Sequence, residues 1–361
     1  MTTSTTTFSY SQLRDFTTAI FERMGFSVSD AHLASEVLLS ADLRGVDSHG
    51  VARLSGYLRL WEVGRINPKA EIKIVHQTPS TARIDAQAGL GLVVAPKAMQ
   101  IAMEKAEQVG TGWVSIYNSN HYGIAGYHAM LALPKDMIGI SMTNASPLVA
   151  PTHSQERMLG TNPIAIAIPA AEEPPFVADF ATAAAANGKL EILQRKNLPT
   201  PEGWVQGKSG ETSTNAHALK EGGALLPLGS DTLRSSHKGY CLGAMVDILS
   251  AVLSGAGYGP WAPPFVSFLP LPADPVGEGL GHFLGAMRVD AFRPAQEFKS
   301  HMDNWIRRFR AATPITESEP VLIPGDIERE IEKIRQKQGI PLLESVWKDL
   351  EEVGKKMQVK F

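Results

Sequence analysis

The spacing of apolar residues changes at Pro68, and no other feature of the chain constrains its fold as much. Before that proline, apolar positions recur at three and four, the spacing of helices that bury one face. After it come "EIKIVH", "TARIDA", "WVSIYNS", "MIGISMTN", "NPIAIAIPA" and "PFVADFA". These runs are short, β-branched or alternating, and bounded by turn residues, so they read as strands. Helical patterns fall between them at 93–108, 124–133 and the Ala-rich 182–195. Strands interleaved with helices predict a layered α/β architecture.

The leading helices have local signals. Ser9 and Gln12 have capping-box spacing before Leu13, Phe16, Ile20 and Met24, and Gly25 is a natural stop. A second helix runs from about Asp30 to Arg44, closed by Gly45. A third lies in "RGVDSHGVARLSGYL" (44–58), with Asp47 or Ser48 as its expected N-cap. After the polar loop "NLPTPEGWVQGKSGETSTN", "GHFLGAMRVDAF" reads as a late strand and "AQEFKSHMDNWIRRFRA" as a helix. Two charged amphipathic helices, "DIEREIEKIRQKQ" and "LLESVWKDLEEVGKKM", follow Pro324-Gly325. Helices at both ends of an α/β middle predict a helical unit built from both termini, 1–75 with 315–361, around a central 76–314.

Composition narrows the classes of function. With 361 residues, 43% of them hydrophobic, the chain can bury two packed units. A net charge of −3 gives no basic footprint, so neither nucleic acid nor an anionic membrane is expected as a partner. One cysteine, Cys241, excludes a disulfide framework and favours a reducing, cytoplasmic compartment. The N-terminal "MTTSTTTFSYSQL" lacks the pattern of a secretory signal. The most apolar helix pattern, "KGYCLGAMVDILSAVL" (238–253), is too short and interrupted to span a bilayer and reads as a buried core helix.

Common motifs are missing. "GLGLVV" (89–94) matches G-x-G-x-x-G at two positions only and lacks a convincing strand–turn–helix frame, and "GAGYG" (255–259) follows a helix. Neither H-E-x-x-H nor paired cysteines occur, and the histidines are scattered, so no metal site is expected.

Three segments carry candidate chemistry. In "SSHKGYC" (235–241), capping serines, a helix start and Lys238 suit a phosphate, while Gly239 and Gly243 permit close approach; a capped buried helix with a solvated lysine fits equally. In "SNHYGIAGYHA" (119–129), His121 stands at a strand end, where α/β folds place reactive groups. In the third helix, His49, Arg53 and Tyr57 lie four residues apart. The guanidinium suits a carboxylate, yet by themselves these residues also describe an ordinary solvated face. Asp179 and Thr182 of "FVADFAT", and Thr161, Asn162 and Pro163 of "LGTNPIAI", are polar clusters that turn chemistry alone could explain.

Together, "RGVDSHGVARL", "SNHYGIAGYHA", "TNASPLVAP", "GTNPIAIAIP", "VADFATAAAANGKLE", "EGGALLPLG", "HKGYCLGAMVDILSAVLSGAGYG" and "IPGDIERE" stand in the order found in the malate/L-lactate dehydrogenase family, which the chain resembles from about Phe8 onward. This is the NAD(P)-dependent 2-hydroxyacid family without a Rossmann fold. The resemblance implies a three-layer α/β/α fold of L-sulfolactate dehydrogenase type, with a mixed, largely antiparallel seven-stranded sheet. It also implies a homodimer, a substrate and dimer role for the terminal helices, and cofactor binding by the central domain. His121 becomes the catalytic acid/base, with His49 assisting or alternating. Ser48, Arg53, Tyr57 and Asn144 become substrate residues. His49, His121, Thr143, Thr161, Asn162, Pro163, Asp179, Ala181, Thr182, Lys238, Gly239 and Gly325 become contacts of NAD or NADP.

The chain departs from the family's usual pattern at Cys241 (commonly Gly), Asp247 (commonly Glu) and Ala183 (frequently Ser), which bears on cofactor contacts. The expected reaction is hydride transfer between a 2-hydroxy acid such as malate or lactate and nicotinamide. Alternatives are a cyclic imino acid reductase or ureidoglycolate-type dehydrogenase on the same scaffold, and, more remotely, a non-catalytic carboxylate-binding protein.

Overall fold

The computed structural model describes residues 5–316 and 318–361. After a short strand, β1 (Thr5–Phe8), the Ser9 Oγ accepts the Gln12 N–H at 3.1 Å and opens α1 (Tyr10–Arg23). Ser27 caps α2 (Val28–Leu43) in the same way, through the Asp30 N–H at 3.2 Å. The next helical run begins later than the sequence predicts, and neither Asp47 nor Ser48 caps it. A 3-10 turn at Val51–Arg53 leads into α3 (Leu54–Glu62), and the Val51 N–H donates to Asp42 Oδ2 of α2 at 2.8 Å. Gly50 leaves room for that carboxylate, since a Cβ there would lie 2.0 Å from Asp42 Oδ1.

The chain then builds β2 (Lys73–Gln77), β3 (Thr81–Gly89), α4 (Gly91–Val109), β4 (Thr111–Ser119), α5 (Ala125–Met130), β5 (Met137–Thr143), β6 (Ile164–Ile168) and β7 (Phe176–Phe180). "GLGLVV" therefore does have a strand–turn–helix frame. The space a Cβ on Gly91 would need is filled by the carbonyls of Asn120 and His121, which makes it a packing glycine. The Ala-rich segment turns helical only at α6 (Asn187–Lys196), leaving 182–186 extended or turning. Small strands β8 (Val205–Gln206), β9 (Thr212–Ser213) and β10 (Ala224–Leu225) form a separate three-stranded sheet.

Next come α7 (Ser236–Asp247), continued by a π-helical turn at Ile248–Val252, and β11 (Leu280–Arg288). β11 enters the middle of the main sheet, whose order is β2-β3-β4-β11-β5-β6-β7. Only β3 and β4 pair in parallel. Gly112, Ala286 and Gly139 share a row across β4, β11 and β5, with Cβ space at both glycines taken by carbonyls of Ala102 (α4) and Ala129 (α5). On the other face, Gly281 abuts the backbone at Ser250. Helices thus press on both faces, giving three layers.

The chain ends with α8 (Ala295–Arg310), α9 (Asp326–Gln338), β12 (Ile340–Leu343) and α10 (Glu344–Met357). The last amphipathic pattern therefore starts as a strand. β12 pairs antiparallel with β1, tying the two ends of the chain together. Leu13, Phe16, Ile20, Leu54, Tyr57, Ile340, Leu350 and Val353 from both ends of the chain share one core cluster, to which Leu90, Leu92 and Val93 also belong.

The segment 238–253 is not a buried core helix. Tyr240, Met245, Ile248, Val252 and Leu253 are exposed, and so is Cys241. Among the described residues no helix is long and apolar enough to cross a membrane, and no group of three or more metal-ligating side chains occurs.

Candidate active site

Five of the expected residues converge. His121 follows the end of β4, and the Tyr57 Oη of α3 lies 2.7 Å from its Nδ1. The His49 ring stands 5.6 Å from the His121 ring, inclined by 24°. Ser48 Oγ is 2.9 Å from His49 Nδ1, and Arg53 Nε donates to the Ser48 carbonyl at 2.5 Å. The helical spacing of 49, 53 and 57 is only partly responsible. His49 precedes the helix, and the turn held by Asp42 swings it toward His121.

The electrostatics favour uncharged rings. Burial, then the positive charge of Arg53, lowers the His49 imidazole to about 4. Burial also holds His121 well below its ordinary value, with His49, Arg53 and His282 acting in the same direction. Burial pushes the Tyr57 phenol up, so it stays a neutral hydroxyl. Tyr57 occupies His121 Nδ1, and Nε2 is left without a hydrogen bond to any described residue. The group therefore offers a neutral imidazole nitrogen, a second imidazole and a guanidinium within one small space. Such a set can hold a carboxylate and move a proton at an adjacent oxygen.

The expected dinucleotide residues gather elsewhere. Thr182 donates from its N–H (2.9 Å) and hydroxyl (3.1 Å) to the Thr161 carbonyl, and from the hydroxyl to the Asn162 carbonyl (3.0 Å). Asn162, at φ +36°, donates from Nδ2 to Gly243 of α7, just before Pro163 opens β6. Gly239 lets α7 approach the backbone of Leu228, and Leu228 N–H donates to Thr182, one residue beyond Ala181. Ser235 and Ser236 do not cap α7. Ser235 takes a left-handed conformation, and Ser236 Oγ pairs with Thr152. The first turn of α7 has no side-chain cap, its Ser236 and Lys238 N–H groups donate to the Asp231 and Ser235 carbonyls, and exposed Lys238 forms no ion pair with any described residue.

Asp179 lies near the end of β7 and is solvent-accessible. Its surroundings push the carboxyl up to about 6, against the Gly126 N–H that donates to it at 2.7 Å. Gly325, at the start of α9, packs against Val177 of the same strand. Two expected contacts point into the sheet. Thr143 Oγ1 meets His282 Nδ1 (2.7 Å) and the Gly281 carbonyl (3.0 Å). The Asn144 amide donates to Gly257 (2.7 Å) and accepts from Gly281 (2.9 Å), so its hydrogen bonds join strand ends and loops.

Residues 8–351 match the model of the family described as malate/L-lactate dehydrogenase. The chain belongs to that family. It is 41% identical over 350 residues to a malate dehydrogenase of Pyrococcus abyssi, covering 97% of this chain and 94% of that protein. The structure of a malate dehydrogenase from Entamoeba histolytica superposes with a TM-score of 0.91 at 33% identity, covering 99% of both chains. The sulfolactate dehydrogenase of Methanocaldococcus jannaschii superposes at 0.87 with 34% identity, covering 98% of both. Membership in this dehydrogenase family implies a nicotinamide cofactor and a small-molecule substrate.

Residues outside the expected set border this group. The Phe265 ring lies 4.8 Å from the His121 ring and 5.3 Å from that of Tyr57, and the Arg53 Cζ is 5.9 Å from its centroid. Its segment, "GPWAPPFVSF", has no periodicity, so nothing local marks it. Gly188 of α6 brings that helix against Ser48 and Arg53. Asp42 did carry a signal, a lone carboxylate in the buried run Val37, Leu38, Leu39 and Ala41.

Proposed function

We propose that this chain is an NAD(P)-dependent dehydrogenase that interconverts a 2-hydroxy acid, such as malate or lactate, with its 2-oxo acid. The observation that carries this is the imidazole of His121, tethered at Nδ1 by Tyr57 and kept neutral beside Arg53. Arg53 binds the substrate carboxylate and fixes the C2 hydroxyl toward His121. His121 Nε2 takes the hydroxyl proton as the carbinol becomes a carbonyl, and returns it in the reverse direction. His49 polarises the same oxygen. The nicotinamide, when bound, takes or supplies the hydride at C2. Lys238 and the first turn of α7 hold its phosphates, and Thr161, Asn162, Thr182, Asp179 and Gly325 line the remainder of the dinucleotide's path.

We assign residues 1–75 with 315–361 to the substrate unit and 76–314 to the cofactor domain. We also place the enzyme in the cytoplasm as a homodimer. The exposed apolar side chains of Met245, Ile248 and Val252, three to four residues apart, support a subunit contact.

The test is NADH and NADPH oxidation with oxaloacetate, pyruvate and a cyclic imino acid, for which Arg53 would serve the same carboxylate. Turnover of a 2-oxo acid is expected. Turnover of the imino acid alone would replace this reading, and failure to bind either dinucleotide by fluorescence titration would end it.

A further inference from the structure

Gly56 sits inside α3, where glycine lowers helix stability relative to alanine. The reason is steric, because a Cβ there would come within 2.5 Å of Phe265 Cζ. The ring is also fixed from its own backbone. The Phe265 N–H donates to Ser146 Oγ at 2.9 Å, and Arg65 Nη1 donates to the Pro264 carbonyl at 2.8 Å. The backbone at 264–265 is thus anchored by Ser146 and Arg65, and the ring it carries lies over Gly56 at the edge of the catalytic group.

We propose that Phe265 is the specificity-determining residue of the pocket, the apolar wall beside C3 of the substrate, which limits the bulk of what C3 carries. This inference rests on the dehydrogenase reading above. A 2-hydroxy acid that engages Arg53 with its carboxylate and His121 with its hydroxyl must lie across the ring, which is close to both. The group left to contact the ring is the rest of the molecule, beginning at C3. A rigid apolar wall discriminates there by bulk, and single methylenes in such pockets change kcat/KM by roughly ten to two-hundredfold. Because its backbone is anchored by Ser146 and Arg65 and the ring lies against Gly56, a larger substituent that pushes the ring further that way must disturb α3.

The test compares kcat/KM for pyruvate and for 4-methyl-2-oxopentanoate in the wild type, Phe265→Leu, Phe265→Ala and Gly56→Ala, with thermal unfolding and dinucleotide binding as controls for folding. In Phe265→Ala the ratio of the bulky to the small substrate should rise about tenfold or more, with Phe265→Leu between the two. Gly56→Ala alters no group that faces the substrate, yet it displaces the ring and should also change the ratio. Should Phe265→Ala not fold, Phe265→Leu and Gly56→Ala decide the matter. A wild type that reduces pyruvate while every folded variant keeps its ratio overturns the role of Phe265 alone. A wild type that reduces no 2-oxo acid overturns the dehydrogenase reading, and this inference with it.

Discussion

Tyr57 Oη lies 2.7 Å from Nδ1 of His121, and a hydroxyl in that position can satisfy either state of the ring. It donates when Nδ1 is bare, a state the Gly123 N–H at 3.4 Å also favours. It accepts when Nδ1 carries the proton and Nε2 is free to act as a base. Tyr57→Phe leaves an Nδ1–H without a partner in the second state. The expected result is a fall in kcat of about ten to a hundredfold in both directions with KM little changed, whereas His121→Ala should lose about 10² to 10⁴. Steady-state kinetics on folded variants decides it. If His49→Ala loses more than His121→Ala, the two histidines exchange roles.

The pH dependence has a definite sign. Burial, His49 and Arg53 all lower His121, so its neutral form prevails at pH 7. Oxidation of the hydroxy acid needs that neutral form, so kcat/KM should be level near neutrality and fall only on the acid side, below the ordinary 6.5. Reduction needs the imidazolium and should rise as the pH falls. Arg53→Gln removes a neighbouring positive charge, which must move the acid limb of the oxidation profile to higher pH. A limb that stays in place would show that another group titrates.

Much of this was legible in the sequence, and what escaped it shares a cause. The strands and Ser9 as a cap follow from local rules, and the structure repeats them. The failures all concern groups whose partner is distant in the chain. Val51 is capped by Asp42 from the preceding helix, β12 becomes a strand because β1 is there to pair with it, and Phe265 matters because Gly56 makes room. The exposure of Met245 and Ile248 likewise depends on what packs nearby, which their own apolar pattern does not specify.

Arg53 should resist conservative exchange. Its Nε is committed to the Ser48 carbonyl at 2.5 Å, which aims the rest of the guanidinium. Lysine keeps the charge but lacks that fork. Arg53→Lys is expected to recover only a small part of the roughly hundredfold loss in kcat/KM expected of Arg53→Ala, most of it through KM for the 2-oxo acid. Equal kcat/KM in wild type and Arg53→Ala would remove this residue from the pocket.

Lys238 should affect a different constant. It stands exposed on a helix start that has no side-chain cap. Lys238→Ala is expected to weaken binding of the dinucleotide about five to tenfold, with a shallower salt dependence. KM for the 2-oxo acid should hold at saturating cofactor. Fluorescence titration at two ionic strengths measures this, and an unchanged Kd would assign the phosphates to another site.

Asp42 ties stability to the active-site turn. Its carboxyl is 1% exposed, and burial pushes it up to about 8, against the Val51 N–H that it accepts. Unfolded, it titrates near 3.8. The native state therefore holds the proton over a window in which the unfolded chain has lost it, and stability must fall as pH rises from 3.8 toward 8. Inside the window the slope is about 1.4 kcal/mol per pH unit. The raised carboxyls of Asp179 and Asp247, each near 6, and the lowered histidines titrate mostly below 6.5, so the interval from 6.5 to 8 isolates Asp42. Asp42→Asn keeps an acceptor for Val51 and cannot ionise, so its Tm should stay level across that interval while the wild type declines. Asp42→Ala leaves the Val51 N–H unpaired in the core and should cost about 1–3 kcal/mol at every pH. It should also raise KM for the 2-oxo acid, because the turn that carries His49 and Arg53 loses its anchor. An Asp42→Asn protein whose Tm follows the wild-type slope would mean that a different buried group governs this pH range.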